Sequence, residues 1–338
     1  MPSSRGWEAD RRAIGATHAR GVWVERETYL MGTTLRARVE AESRESGIAA
    51  IEAAFGEVRR MEGVLSTWRE GTEMARLNAA PVGEWFRASG ELFSLLVEAR
   101  GWWRETGGAF DPGVGSLVTA WDLRGQGRRP APAELAAALA ESGFGHFELD
   151  EFRGAIRRTR EGAWIDTGGF GKGAALRAAK AALLEAGVRS ALLDFGGQLL
   201  AFGSQEGGSG WRVAVADPSR RGKPAARLVL HDASAATTAA SERFVSVDGE
   251  RLGHVLDPRS GRPVAAWGSV TVVAEDPLAA DVLSTALFVL GPEEGRRWLR
   301  AHGDVRALFL EETPEGLAAT WSPSLDVWTR AFALEEKG

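Results

Sequence analysis

The residues best suited to chemistry form a short cluster in which glycines surround a single lysine. The cluster comprises Gly168, Gly169, Gly171, Lys172 and Gly173, and Asp166 lies just ahead of it. Glycines at a strand-to-helix junction let backbone N–H groups approach an anion, and the helix N-terminus adds a favourable dipole. Lysine contributes a mobile positive charge there. The cluster predicts either an anion-binding loop or a tight turn that caps a core helix, and by itself it favours the turn.

The spacing within this cluster differs from two common nucleotide-binding motifs. A P-loop has a glycine separated by four residues from its Gly-Lys pair and a Ser or Thr after the lysine. This sequence has Asp166 and Gly173 at those positions. The dinucleotide fingerprint GxGxxG is absent as well, because Gly169, Gly171 and Gly173 are spaced G-x-G-x-G. Neither motif can therefore assign a ligand to the loop.

A histidine and an aspartate form a second candidate cluster. His254 and Asp257 are three residues apart, beside a turn that contains a proline and a glycine. Histidine exchanges protons near neutral pH, and side chains at this spacing can face one pocket from a strand end. A lone histidine would more often satisfy a turn. Here several charged residues lie close in the sequence, namely Glu242, Arg243, Arg259 and Arg262.

Three oxygen-bearing side chains share one face of a helix that starts near residue 277. Asp281, Ser284 and Thr285 are separated by helical spacings of three and four. A carboxylate with two hydroxyls is a hard-oxygen set, which suits Mg²⁺ bridging to phosphate better than it suits zinc. The alternative is that the hydroxyls bond back to the preceding turn of their own helix.

The elements around these clusters follow from hydrophobic periodicity and from breaker residues. An extended run at 163–165 leads into the glycine cluster, an amphipathic helix follows it and ends at Gly187, and a strand occupies 191–195. The amino-terminal half is predicted to contain a strand at 35–39, helices at 48–65, 73–78, 89–105 and 134–141, loops at 106–125 and 126–133, and a hairpin of 144–149 with 155–159. The carboxyl-terminal half is predicted to contain strands at 211–216, 226–230, 235–238, 243–247, 252–256, 269–274 and 305–310, and helices at 277–290 and 293–301.

Composition narrows the class of protein. The chain has 338 residues, no cysteine and a formal net charge of −5. The lack of cysteine excludes disulfides and Cys-based metal sites, and the negative charge argues against a broad nucleic-acid surface. No apolar run reaches the roughly 18–20 residues that span a bilayer. Residues 1–24 contain no apolar signal-peptide core, so we expect a disordered arm on a cytoplasmic protein.

Eight motifs, taken in order, make the chain resemble the ApbE family, the FAD:protein FMN transferases or flavin-trafficking proteins. They are MGTTL at 31–35, LSTW at 65–68, AFDPGVG at 109–115, DTGGFGKG at 166–173, LLDFGGQLLAFG at 192–203, ATTAASERF at 236–244, HVLDPRSGRPV at 254–264 and DVLSTALFVLG at 281–291. The resemblance covers residues 25–310. We therefore expect an ApbE-like domain over 25–312 and a carboxyl-terminal tail over 313–338.

The resemblance implies an α+β fold of mixed sheets and flanking helices, with two lobes around a cleft that binds FAD. It implies that FMN moves from FAD to a Thr or Ser hydroxyl of an acceptor flavoprotein, with release of AMP and a requirement for Mg²⁺. By motif, the FAD contacts would be Met31, Trp68, Ala109, Phe110, Asp111, Asp166, Lys172 and Val255. Trp68 stands where the family usually has tyrosine. The Mg²⁺ ligands would be the Gly169 carbonyl, Asp281, Thr285 and Ser284.

Several alternatives stay open at the level of sequence. His254 and Asp257 are both candidates for the group that takes the proton from the acceptor hydroxyl. The alternative functions are an Mg²⁺-dependent FAD pyrophosphatase, in which water replaces the hydroxyl, and a non-catalytic FAD carrier. The pair Asp281 and Thr285 argues against the carrier, because storage of FAD needs no metal on the pyrophosphate. The alternating exposed strands would permit a homodimer.

Overall fold

The strands of the protein form one large sheet and four small ones. The computed structural model describes residues 21–205, 208–220, 222–239, 244–247, 249–303, 305–322 and 325. The strands are β1 (Val22–Leu30), β2 (Thr33–Ala41), β3 (Trp85–Arg87), β4 (Phe147–Asp150), β5 (Ala155–Arg158), β6 (Ser190–Phe195), β7 (Gln198–Phe202), β8 (Trp211–Ala216), β9 (Pro224–Leu230), β10 (Ala233–Ala239), β11 (Phe244–Val247), β12 (Glu250–Gly253), β13 (Leu256–Asp257), β14 (Arg262–Pro263), β15 (Gly268–Ala274), β16 (Arg306–Thr313) and β17 (Gly316–Trp321).

The large sheet has eight strands in the order β1-β2-β6-β7-β10-β15-β16-β17, and every neighbouring pair is antiparallel. The small sheets are β3-β5-β4, β8-β9, β11-β12 and β13-β14. Met31 and Gly32 join β1 to β2 with φ angles of 48° and 78°. Two consecutive positive φ values make the tight turn that matches the right-handed twist of a hairpin. Met31 therefore lies at the tip of the hairpin, ahead of the predicted strand at 35–39.

The helices pack between and beside these strands. They are α1 (Arg44–Leu65), α2 (Glu73–Ala79), α3 (Gly90–Glu105), α4 (Gly115–Ala120), α5 (Pro132–Glu141), α6 (Gly171–Glu185) and α7 (Pro277–Ala301). Ser89, at the start of the helix predicted over 89–105, caps α3, since its hydroxyl accepts the N–H of Leu92 at 3.2 Å. The predicted stop at 291–292 appears inside α7 as a kink, because Gly291 has a φ of 74°. Antiparallel sheets with separate helices confirm the α+β class.

The core is divided by the large sheet. On one face, α1, α6 and α7 bury the main cluster, in which Phe55, Phe195 and Phe309 are almost inaccessible. On the other face, the β8-β9 hairpin buries a second cluster around Trp211. Because side chains alternate along a strand, Val272 belongs to the first cluster and Val273 to the second. The sheet thus supports the helices that carry the candidate site.

The structure differs from the sequence prediction at several elements. The loop predicted at 106–125 contains α4, and β3, β7 and β17 were not predicted. The strand predicted at 252–256 is interrupted between β12 and β13. The segment 163–165 belongs to no strand and is held instead by Asn78, whose side-chain amide exchanges two hydrogen bonds with the Ile165 backbone. β3 and the segment 163–165 depend on distant partners, which local patterning does not report, whereas β7 and β17 form hairpins with the strands just before them.

The large sheet reaches beyond the domain limits expected from the sequence. β1 begins at Val22, inside the segment 1–24 that was predicted as an arm, and β17 lies inside the predicted tail 313–338. Residues 1–20 of that arm, most of the tail after Ser322, and Arg243 and Asp248 of the predicted strand and hairpin lie outside the described residues. Across the described ranges, every helix is too short or too polar to cross a membrane.

Candidate functional site

The glycine loop, residues 166–173, is a fixed turn that leads into α6. The Asp166 N–H donates to the Pro112 carbonyl at 2.8 Å, and the Gly168 N–H donates to Asp166 Oδ1 at 2.8 Å. The Thr167 hydroxyl donates to the Leu65 carbonyl at the end of α1, at 3.0 Å. These hydrogen bonds fix the loop to the carbonyls of Pro112 and Leu65, while Gly168 stays exposed to solvent. The loop can therefore present backbone groups to a ligand without losing its own support.

α6 and α7 are in close backbone contact at Gly173. A Cβ added at this glycine would lie 2.4 Å from the Pro277 carbonyl oxygen and 2.7 Å from the Leu278 Cα, so no larger residue fits. This approach lets the buried Asp281 carboxylate accept the Gly173 N–H at 2.9 Å. Its other oxygen lies 3.4 Å from Lys172 Nζ. The first turn of α6 and one cation thus converge on a carboxylate that is only 4% exposed.

The two hydroxyls that follow Asp281 have different surroundings. Thr285 Oγ1 lies against the glycine loop, since a Cβ added at Gly169 would be 3.4 Å from it. Its hydroxyl also donates to the Asp281 carbonyl at 3.3 Å. Ser284 is 1% exposed and shares a 2.8 Å hydrogen bond with Thr238 on β10. Thr285 therefore faces the loop, whereas Ser284 joins α7 to the sheet.

Arg124 holds the other end of the glycine loop. One of its nitrogens lies 2.7 Å from Asp166 Oδ2, and its guanidinium also donates to the carbonyl and hydroxyl of Thr67, at 2.9 and 2.5 Å. Its Cζ lies 4.6 Å from the ring centre of Trp68 and 4.4 Å from that of Trp164. An arginine stacked on aromatic faces gains cation–π attraction in addition to its hydrogen bonds. Arg124 therefore connects three separate chain segments at this end.

The loop that begins at Ala109 packs against the middle of the glycine loop. Phe110 meets Phe170 edge to face, with ring centres 6.3 Å apart. A Cβ added at Gly169 would lie 3.4 Å from the Phe110 ring, so this ring packs directly on the loop backbone. Ala109 and Phe110 are both buried. They form an apolar surface that packs beside the glycine loop.

Asp111 follows Phe110, and its carboxylate accepts hydrogen bonds from backbone N–H groups nearby. Its Oδ1 accepts the N–H of Gly113 at 2.7 Å and that of Phe144 at 2.9 Å, and Trp103 also donates to the carboxyl group. Burial nevertheless raises the pKa of Asp111 to about 6, because desolvation of the charged form outweighs these hydrogen bonds. Asp111 is thus a carboxyl group that changes charge in mildly acidic solution.

Met31 reaches the glycine loop from the tip of the first hairpin. Its N–H donates to Glu62 Oε1 on α1 at 3.1 Å, which fixes the tip. A Cβ added at Gly171 would lie 3.4 Å from the Met31 Cε atom. The side chain of Met31 therefore borders the start of α6.

Three candidate residues lie in the segment from His254 to Pro263, and their surroundings differ. His254 is half-buried between β12 and β13, and Val255 is buried in the main core. The Asp257 carboxylate accepts the backbone N–H and the Nε of Arg259, both at 2.9 Å. Asp257 therefore stabilises its own turn.

The candidate residues thus fall into groups. Those in contact with the glycine loop or part of it are Met31, Phe110, Asp166, Gly169, Lys172, Asp281 and Thr285. Trp68 is linked to it through Arg124, while Ala109 and Asp111 flank Phe110. Within the described ranges, no three His, Cys, Asp or Glu side chains cluster as a metal site. A cation at this site would therefore depend on one carboxylate, hydroxyls and ligand oxygens.

Sequence reasoning missed Arg124, Thr67 and Trp164 at this site. Arg124 lies in a loop, 42 residues from Asp166, and no spacing rule connects them. The only available signal was an arginine in an otherwise glycine-rich stretch beside Trp121. That signal does not identify the carboxylate with which the arginine pairs.

Comparison with known proteins is consistent across sequence and structure. The model of the ApbE family matches residues 31–309. The FAD:protein FMN transferase of Treponema pallidum is 32% identical over 302 residues, which cover 84% of this chain and 83% of that protein. The ApbE protein of Thermotoga maritima has a TM-score of 0.84 at 29% identity and covers 92% of this chain and 100% of its own. The flavinyl transferase ApbE of Pseudomonas stutzeri, in its apo form, has a TM-score of 0.80 at 27% identity, with 92% of this chain and 98% of its own covered.

Proposed function

The chain belongs to the ApbE family, and we infer that it transfers FMN from FAD to a Thr or Ser hydroxyl of an acceptor protein. In this reaction the bond between the FMN phosphorus and the bridging oxygen of the pyrophosphate breaks, and AMP leaves. A new bond joins the FMN phosphorus to the acceptor oxygen, and the hydroxyl proton passes to a base. The protein must therefore position two phosphates, neutralise their charge and accept one proton.

One observation carries this proposal, namely the buried Asp281 carboxylate that faces Lys172 and the first turn of α6. A loop built only to hold an anion would not place a carboxylate beside it, because like charges repel most strongly where water is excluded. The arrangement suits a phosphate group that arrives together with a cation. FAD, whose pyrophosphate is doubly charged, has that chemistry.

The residues present fit Mg²⁺. Asp281, Thr285 and the carbonyl of Gly169 supply hard oxygen donors of the kind Mg²⁺ prefers, and Mg²⁺ commonly completes its shell with substrate phosphates and water. Bound there, Mg²⁺ would neutralise the pyrophosphate and stabilise the charge on departing AMP. We leave Ser284 outside the ligand set, because its hydroxyl is already bonded to Thr238 and to the Asp281 carbonyl.

The chain's own groups complete the charge balance around the substrate. Lys172 is partly exposed, so its ammonium can contact a phosphate oxygen while it remains near Asp281. The exposed Gly168 backbone lies at the surface of the loop and can approach the substrate closely. At the far end, Arg124 neutralises Asp166 and so limits repulsion between that carboxylate and the incoming pyrophosphate.

We assign the proton acceptor to His254. Asp257 was an equal candidate by sequence, but its carboxylate is engaged by Arg259 in the turn that it forms. Imidazole is suited to proton transfer near neutral pH, and this property favours His254 as the base. Val255, the next residue, is anchored in the core and would hold the His254 backbone in place.

The decisive experiment is a product assay on the full chain with FAD and Mg²⁺, with and without an acceptor domain that bears a reactive threonine. We expect release of AMP only when the acceptor is present, together with acid-stable flavin fluorescence on that acceptor. AMP and free FMN in both samples would instead identify an FAD pyrophosphatase. Bound FAD without AMP in either sample would identify a carrier and contradict the proposed transfer.

A further inference from the structure

The Arg124 guanidinium contacts the faces of two tryptophan rings. Its Cζ lies 4.6 Å from the ring centre of Trp68 and 4.4 Å from that of Trp164. Trp164 is itself fixed, because its ring packs on Gly115 at the start of α4 and its Nε1 donates to Thr119 at 3.3 Å. Arg124 and Trp164 are therefore both attached to the fold.

Trp68 differs from Trp164 in its exposure to solvent. Trp68 is 68% exposed, although it is a large aromatic residue at the edge of the candidate site. Arg124 Nε is buried and has no hydrogen-bond partner among the described residues. One face of the Trp68 indole thus rests on Arg124, and much of the indole remains open to solvent.

We propose that Arg124 is a positioning residue that holds the Trp68 indole as a platform on which one ring system of FAD stacks. This inference rests on the proposed function, because it takes FAD as the ligand. The guanidinium lies over the face of the indole, and its hydrogen bonds to Thr67 and Asp166 fix its own position. An exposed tryptophan without this backing would rotate freely, and ordering it would weaken ligand binding.

Lysine cannot replace arginine in this role. Its ammonium is a strongly hydrated point charge and lacks the planar set of donors that can lie between two rings. Arg124→Lys keeps the charge beside Asp166 and removes the flat layer. The substitution therefore separates a stacking role from a purely electrostatic one.

The test is a double-mutant cycle on the affinity of the full chain for FAD, measured by calorimetry without Mg²⁺ and without acceptor. Arg124→Lys and Trp68→Ala should each raise the Kd about 10-fold, the size expected for one stacked base. The double variant should lose no more than either single variant, because both changes remove the same platform. Thermal melting of each variant checks that the fold is intact.

The chain offers a matched control in a second arginine–tryptophan stack. Arg157 lies over Trp85 at 4.6 Å on the small three-stranded sheet and is also paired with a glutamate. Arg157→Lys makes the same chemical change outside the candidate site, so the Kd for FAD should stay the same.

Two results would overturn the inference: a Kd within twofold of the wild type for Arg124→Lys, or losses that add up in the double variant. Failure of the proposed function gives a different pattern. The wild type could bind FAD and the cycle could be non-additive while no flavin reaches the acceptor. That result would support the positioning role of Arg124 and contradict the proposed transfer. If the wild type does not bind FAD at all, both proposals are wrong.

Discussion

The two ends of the glycine loop are both closed by a carboxylate and a cation, but they are built in different ways. At the first end, Asp166 pairs with Arg124, and the Asp166 side chain remains 21% exposed. At the second end, Asp281 pairs with Lys172 and the Gly173 N–H, and the Asp281 side chain is only 5% exposed. The first pair joins loops, whereas the second lies where two long helices cross.

The difference shows how one loop can serve two parts of a dinucleotide. The exposed end combines a charge with aromatic rings, which suits the recognition of a flat ring system. The buried end offers oxygen donors and a cation in a dry environment, where electrostatic effects on phosphate are strongest. Changes at the first end should therefore affect mainly affinity, and changes at the second end should affect chemistry or folding.

The largest effect should come from a residue outside both ends. His254→Ala should reduce FMN transfer about 1000-fold, because a positioned general base contributes roughly 10²–10⁴-fold. The affinity for FAD should be unchanged, as both ends of the loop are intact. Measuring the transfer rate and the Kd for FAD on the same preparation separates the two effects. Equal losses of rate and affinity would rule out a base role for His254.

Gly173→Ala should break the buried end. The added Cβ would approach the Pro277 carbonyl oxygen and the Leu278 Cα, and neither backbone atom can move aside without shifting α7. Overpacking of this kind costs about 3 kcal/mol in the free energy of unfolding. Urea denaturation measures the loss.

Gly56→Ala on α1 is the matched control for that change. A Cβ at Gly56 would meet nothing within 4 Å, so the same change should stabilise the protein by about 0.5–1 kcal/mol through helix propensity. If both variants were equally stable, the close crossing of α6 and α7 would not be a constraint on the fold.

Removing one charge at each end compares them directly. Asp281→Asn keeps an oxygen that can accept the Gly173 N–H, yet it should lower the transfer rate about 100-fold, the scale of one oriented electrostatic group in an active site. Asp166→Asn should weaken FAD binding about 10-fold, because it weakens the hydrogen bond that holds Arg124 beside Trp68. This is the scale of one charge-assisted hydrogen bond. Steady-state kinetics should place the first effect in kcat and the second in KM. The opposite assignment would contradict the division between the two ends.

The last effect concerns pH and lies beside the exposed end. Burial raises the pKa of Asp111 to about 6 from its ordinary 3.8, so the folded protein holds this proton more tightly than the unfolded chain does. That contribution to stability is complete below pH 4 and is lost as the pH rises through 6, on the order of 3 kcal/mol. Asp111→Asn should remove it, so the difference in unfolding free energy between variant and wild type should change across pH 4–6. A constant difference would show that Asp111 does not titrate in this range.

Local signals in the sequence were enough for most elements around the site. The helix that starts at Ser89, the hairpin of β4 and β5, and the break at Gly291 were all predicted, and the structure confirms them. Each depends on residues a few positions apart. α4 and β17 were missed because neither carries a periodic pattern long enough to stand out, although β17 forms a hairpin with the strand just before it.

By itself, the sequence determined the α+β class, the family resemblance and the order of the clusters, because periodicity, turn residues and ordered motifs are properties of neighbouring residues. Only the tertiary structure decided how the charges are paired. Asp281 is 108 residues from the N–H that it accepts, and Asp166 is 42 residues from the arginine that neutralises it. Such pairs form only when the folded chain brings helices and loops together. The fold places Asp281 in the buried contact between α6 and α7, and it places Asp166 near the exposed Trp68.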